Sequence, residues 1–150
     1  MNAGAFLNVM EAEDVSERHA SLVVAGQRLL LDPLGALYEP RAGALIVADL
    51  HLEKGSSFAR RGMMLPPYDT AATLARLTQV VMRWRPRAVI ALGDSFHDRE
   101  AGERLSAEDG ARISALQAGR EWIWISGNHD PEISPLVGGE RRGELRLGGL

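Results

Sequence analysis

The sequence predicts an α/β fold with a partly parallel sheet. Three observations carry this. Three short runs are apolar on both faces: Ala44 to Ala48, Ala88 to Leu92 and Trp122 to Ile125. Segments with helical periodicity separate them, and each run ends abruptly in a polar cluster. Two-sided apolar strands alternating with helices are the pattern of parallel strands covered by crossover helices.

Taken in order, Leu22-Val23-Val24 and Leu29-Leu30-Leu31 flank Ala25-Gly26 and read as a hairpin. Asp32-Pro33 breaks it, and residues 34–38 form a third candidate strand. The run Ala44-Leu45-Ile46-Val47-Ala48 belongs in the middle of the sheet. Residues 53–67 hold glycines, serines, prolines and three basic residues without periodicity, which predicts a long loop. Residues 68–84 are predicted helical, because Leu74, Leu77, Val81 and Trp84 form one apolar stripe. Arg85-Pro86 stops that helix. A second helix is expected from near Ser106 to Ala118, with Ser106 and Asp109 forming a box-like cap before Gly119. Trp122 and Trp124 alternate on the last buried strand and are read as core. The Gly-rich tail contains one alternating stretch, Glu144-Leu145-Arg146-Leu147.

The chain has 150 residues, a single domain's length, and 45% hydrophobic residues argue against wholesale disorder. Residues 1–20 read as a loosely ordered leader and 21–150 as the domain. No apolar stretch approaches a membrane span, and the start lacks the basic-then-apolar form of a secretory signal. The expected location is cytoplasmic. There is no cysteine, so a thiolate metal site, a disulfide framework and a cysteine nucleophile are excluded. The net charge of −3 recruits no nucleic acid by itself. Lys54 is the only lysine among 17 basic residues, so the default reading of each arginine is compositional.

The strand-end clusters are Asp49-Leu50-His51, Gly93-Asp94 and Gly127-Asn128-His129-Asp130. Parallel strands put their carboxyl ends on one edge, where ligands bind in open α/β sheets. Asp49 and His51 are two apart, so strand alternation is expected to point both side chains the same way. Asp94 has two oxygens and can bridge two ions, and Asn128 adds an amide oxygen. Carboxylate mixed with imidazole suits manganese, iron or zinc. Gly93 and Gly127 are expected to let the backbone turn sharply. His129 is placed to donate a proton or hydrogen bond to a charged oxygen. Each cluster alone is commonplace; three in this order, all at strand ends, are not.

That order resembles the calcineurin-like metallophosphoesterase superfamily. The words "ADLHLEKGSSFARRG", "LPPYDT", "ALGDSFHD" and "WISGNHDP" are similar to its bacterial ligase-associated DNA-damage-response branch of phosphoesterases and endonucleases. The resemblance implies an α-β-β-α layered sandwich, of which this chain is the N-terminal part. It implies two divalent metal ions, with manganese expected, and hydroxide attack on phosphorus. Asp49, His51, Asp94 and Asn128 match metal ligands. His129 matches the histidine at the scissile phosphate, and Asp130 and Asp98 match residues that would orient their neighbours. Further histidines of the family's motifs have no counterpart up to Leu150, so the expectation is a domain lacking its C-terminal portion, with weak metal binding and impaired turnover.

Lys54, Arg60 and Arg61 are expected phosphate or DNA-backbone contacts, against the alternative of a solvated arginine-rich loop. His97 is read as a hydrogen-bonded structural histidine in preference to a substrate-side group, and Arg141 and Arg142 as solvated. The implied substrate is a phosphoester, DNA included, with a ligase or helicase as repair partner. Competing readings are a nucleotide or cyclic-nucleotide phosphodiesterase and a non-catalytic module that binds a ligase or helicase.

Overall fold

A computed structural model describes residues 19–53, 70–97, 101–128 and 133–150. Seven strands form one sheet in the order β1 to β7: Ser21–Val24, Gln27–Asp32, Ala36–Glu39, Ala44–Ala48, Ala88–Leu92, Glu121–Ile125 and Glu140–Arg142. The first three pairings are antiparallel and the last three parallel. The expected α/β fold, partly parallel sheet and N-terminal hairpin are all present.

The hairpin turns on Ala25 and Gly26, both left-handed at φ 48° and 76°, as a two-residue turn between right-twisted strands requires. Among the described residues three helices follow: α1 (Thr70–Trp84), α2 (Ala101–Arg104) and α3 (Ala107–Gln117). Helix α1 buries Leu74, Leu77, Val80, Val81 and Trp84, the predicted stripe with Val80 added. Helix α3 starts as predicted: the Ser106 hydroxyl accepts the Asp109 amide at 3.0 Å and lies 2.9 Å from the Asp109 carboxylate.

The two long helices pack on alternate strand residues, Leu45 and Val47, Val89 and Ala91, Trp122 and Trp124. The tryptophans are core, as expected, with ring centroids 5.5 Å apart. The Trp124 indole N–H donates to the Gly138 carbonyl at 2.9 Å. Ile90 and Ile123 occupy the intervening positions and are also buried. Among the described residues no helix is long and apolar enough to cross a membrane.

The leader's last residues touch the sheet. Ala20 accepts the Leu31 amide at 2.8 Å, and the His19 ring lies 4.7 Å from that of Trp84. Asp32 ties the hairpin to α1. Its buried carboxylate accepts from the Leu34 amide, the Trp84 indole and the Arg83 guanidinium. Burial by itself raises its pKa, but the three donors hold it below the ordinary carboxylate value.

Two elements were not predicted: α2, and β7 in the tail. Arg141 in β7 corrects an expectation. It is not simply solvated, since its guanidinium donates to the carbonyls of Ile133, Gly139 and Ser134 at 3.1, 3.0 and 2.7 Å. It therefore clasps the chain around a short 3-10 turn, Pro135–Val137. Arg142 is exposed and pairs with Glu140.

Candidate metal centre

Strand β4 ends at Ala48, one residue before the first candidate donor. Asp49, His51 and Glu53 are then left-handed, at φ 52°, 45° and 62°. Strand alternation therefore does not orient Asp49 and His51, contrary to expectation. The backbone reverses its local hand at each polar residue. Non-glycine residues pay sterically for that conformation, although Asp and His tolerate it better than most.

A second backbone path holds them there. Asp49, His51 and Leu52 donate to the carbonyls of Gly93, Asp94 and Ser95 at 3.4, 3.0 and 2.9 Å. His97 donates back to Leu52 at 3.0 Å. The parallel ladder of β4 and β5 thus continues past both strand ends, closing on an isolated bridge between Leu52 and Phe96. Leu52 and Phe96 are buried beneath the polar residues, and Phe96 packs on Trp124. Asp94, at φ 51°, is the fourth left-handed residue of the cluster.

The outcome is convergence. One donor atom each from Asp49, His51 and Asp94 lie within 4.8 Å of one another. The His51 Nε2 to Asp49 Oδ1 distance is 3.9 Å. Donors about 2.1 Å from a shared ion stand about 3 to 4.2 Å apart, so the set needs only slight contraction. Two carboxylate oxygens and one imidazole also match the chemistry of a borderline divalent cation. The residues fit a metal. The Asp49 side chain is 70% exposed and that of His51 30%, so the cluster opens to solvent.

Glycines bring in the third loop, but by close approach. Gly93 is not left-handed. A Cβ built on it would stand 3.2 Å from the Gly127 Cα and 3.7 Å from the Ser126 carbonyl oxygen. Their bare backbones bring the β5 and β6 ends together, so Asn128, next in chain, starts beside the Asp94 loop. The expectation of sharp turns at these glycines is replaced by one of packing.

His97, read from the sequence as structural, also reaches the cluster. Its ring lies edge-on to that of His51 with centroids 5.9 Å apart, at the cluster itself. The available signal was its place three residues after Asp94. His129, Asp130, Asp98, Lys54, Arg60 and Arg61 lie outside the described residues.

Fold and donor set together define an α/β protein with residues able to hold a divalent metal on the carboxyl edge of its parallel strands. The chain belongs to the calcineurin-like phosphoesterase family, whose model matches residues 44–147. Among solved structures, the crystal structure of the nuclease MPE from Pseudomonas putida is similar, with a TM-score of 0.63 and 28% identity over 83% of this chain. The match covers 59% of that nuclease's length. No curated protein matches the chain.

Proposed function

We propose that the chain is the metal-binding part of a divalent-metal-dependent phosphodiesterase of nuclease type. The observation that carries this is the convergence of Asp49, His51 and Asp94 on the edge where the Asn128 loop also ends. The similarity to a protein named as a nuclease supports a nucleic-acid diester over a small metabolite. Manganese is the favoured ion, and cytoplasmic DNA repair, with a ligase or helicase as partner, is the favoured setting.

When bound, divalent metal would supply Lewis-acid stabilisation of the phosphoryl oxygens and a nucleophile competent at neutral pH. The protein's part is placement. Asp49, His51 and Asp94 would hold one ion, and Asp94 and Asn128 a second. The ladder between residues 49–52 and 93–95 fixes three of these donors before any ion arrives. His129 is assigned to the leaving-group oxygen, with Asp130 and Asp98 orienting it. Lys54, Arg60 and Arg61 are assigned to substrate phosphates. The words shared with the ligase-associated branch support placing the chain there.

The test is a manganese titration followed by melting temperature and by hydrolysis of bis-p-nitrophenyl phosphate, on the chain and on Asp94→Asn. Stabilisation by millimolar manganese that Asp94→Asn removes, with slow metal-dependent hydrolysis lost in the same variant, is the expected result. Identical melting curves with and without manganese would overturn the reading.

A further inference from the structure

We propose that the amino edge of the parallel strands, opposite the metal centre, is a second phosphate-binding surface that grips the backbone of a nucleic-acid polymer. This deepens the phosphodiesterase reading and rests on it, since it names the substrate as a polymer.

Backbone hydrogen bonds gather this edge. Arg87 and Ala88 donate to the Gly43 carbonyl at 2.9 and 3.3 Å, and Glu121 donates to the Arg87 carbonyl at 2.9 Å. The Arg87 guanidinium donates to the Arg41 carbonyl at 2.9 Å. The β3–β4 turn, the α1–β5 connection and the start of β6 are thereby stitched together. Arg41, Arg85 and Arg87 are exposed there, and Arg120 is half-buried. The carboxylates nearby do not cancel them. Glu39 is buried and occupied by the amides of Arg41 and Ala42 at 3.1 and 2.6 Å. Glu140 is paired with Arg142. Glu121 is exposed on the same edge, one carboxylate against the four arginines. Coding bias explains arginine in place of lysine, but it does not explain arginines collected on one edge.

Arg85 adds an independent observation. It follows α1 in the left-handed conformation, at φ 45°, with its amide on the Val81 carbonyl at 2.8 Å. Glycine normally fills that position, and after α3 this protein uses Gly119, at φ 73°. Of the six left-handed non-glycine residues described, four stand at the metal centre, one is the hairpin's Ala25, and the last is Arg85. Strain of this kind persists where function holds it. The fold gives no reason for arginine here, whereas a phosphate does.

Strands of five residues separate the edge from the metal donors by roughly 17 Å. One phosphate cannot occupy both places, so the edge discriminates a long chain from a small phosphoester.

The experiment is fluorescence anisotropy of a labelled oligothymidylate in EDTA between 50 and 200 mM salt, on the wild type and on Arg41→Ser/Arg85→Gly. Each lost contact lowers the salt slope by about 0.7 for a single strand, so two lower it by about 1.4. Binding of the variant then loses about 7-fold less across that salt range. Glycine at position 85 relieves the backbone, so the variant is expected to melt no lower than the wild type. An unchanged slope and affinity, or no binding by the wild type, overturns the proposal. Equal competition by polyglutamate also overturns it, assigning the edge to an acidic protein. The assay needs no metal. If manganese-dependent hydrolysis fails while the slope changes as expected, the hydrolase reading falls and the nucleic-acid surface stands.

Discussion

Replacing Gly93 with alanine tests the idea that bare backbone holds the metal centre together. The new Cβ would sit 3.2 Å from the Gly127 Cα. Ordinary carbon contacts lie near 3.5–4.0 Å, so the approach is short by about 0.3–0.8 Å. Both partners are main chain and cannot rotate away. Overpacking of this kind costs about 1–3 kcal/mol. Alanine also restricts the unfolded chain, which stabilises by about 0.4–1 kcal/mol where the backbone is compatible, as it is here. The clash wins, and a net loss of about 1 kcal/mol is expected in urea unfolding. The larger consequence is at the site. Separating the β5 and β6 ends by a few tenths of an ångström moves Asp94 relative to Asn128. Disturbing the groups that orient metal ligands costs about 10- to 100-fold in metal affinity, so this smaller shift is expected to cost roughly 3- to 10-fold in manganese affinity, read by calorimetric titration. Gly110→Ala is the control, since its Cβ would meet nothing within 4 Å and it lies within α3, where alanine is preferred by about 1 kcal/mol. If Gly93→Ala is as stable as the wild type and binds manganese within twofold, the close-approach argument is wrong.

Asp32→Asn is expected to cost about 2–4 kcal/mol at pH 7 in urea unfolding, because it takes the negative charge from beside Arg83 and one acceptor from the Leu34 and Trp84 donors. The Asp32 pKa is lowered on folding. Its contribution is therefore present above the unfolded value near 3.9 and lost as pH falls through the lower folded value. A difference between variant and wild type that stays constant down to pH 2 would contradict this. Arg141→Ala removes the donors of three carbonyls and is expected to cost about 1–3 kcal/mol. Amide exchange at residues 133–139 should accelerate more than in the β4–β5 ladder. Lysine should not restore it, because one ammonium cannot span the three acceptors in the guanidinium's planar fork.

The parts legible in the sequence were those set by burial. Leu45 and Val47, Val89 and Ala91, and the two tryptophans announce a covered sheet because both faces of their strands are apolar. The α1 stripe and the Ser106 cap are local patterns that tertiary packing did not alter. Strand β7 was illegible for the same reason. Its residues, Glu140–Arg142, are charged and exposed, and only hydrogen bonding to β6 makes them a strand. A four-residue helix such as α2 carries a single turn, too short for a period to show.

At the candidate metal centre the converging residues were legible in the sequence and their geometry was not. Spacing of two between Asp49 and His51 was read as alternation, and the two side chains do converge, but through two left-handed residues. Four such residues in one cluster carry a cost of about 1–2 kcal/mol each. What offsets it lies underneath. Leu50 packs against the core, Leu52 and Phe96 are buried in it, and four backbone hydrogen bonds lock residues 49–52 to residues 93–97. The apolar residues alternate with the strained polar ones, so burying the first forces the second outward. Preorganisation of the donors is thus a consequence of core packing. This is why residue types at the strand ends identify the site while its shape depends on Leu52, Phe96 and the Gly93–Gly127 contact, none of which bears a donor.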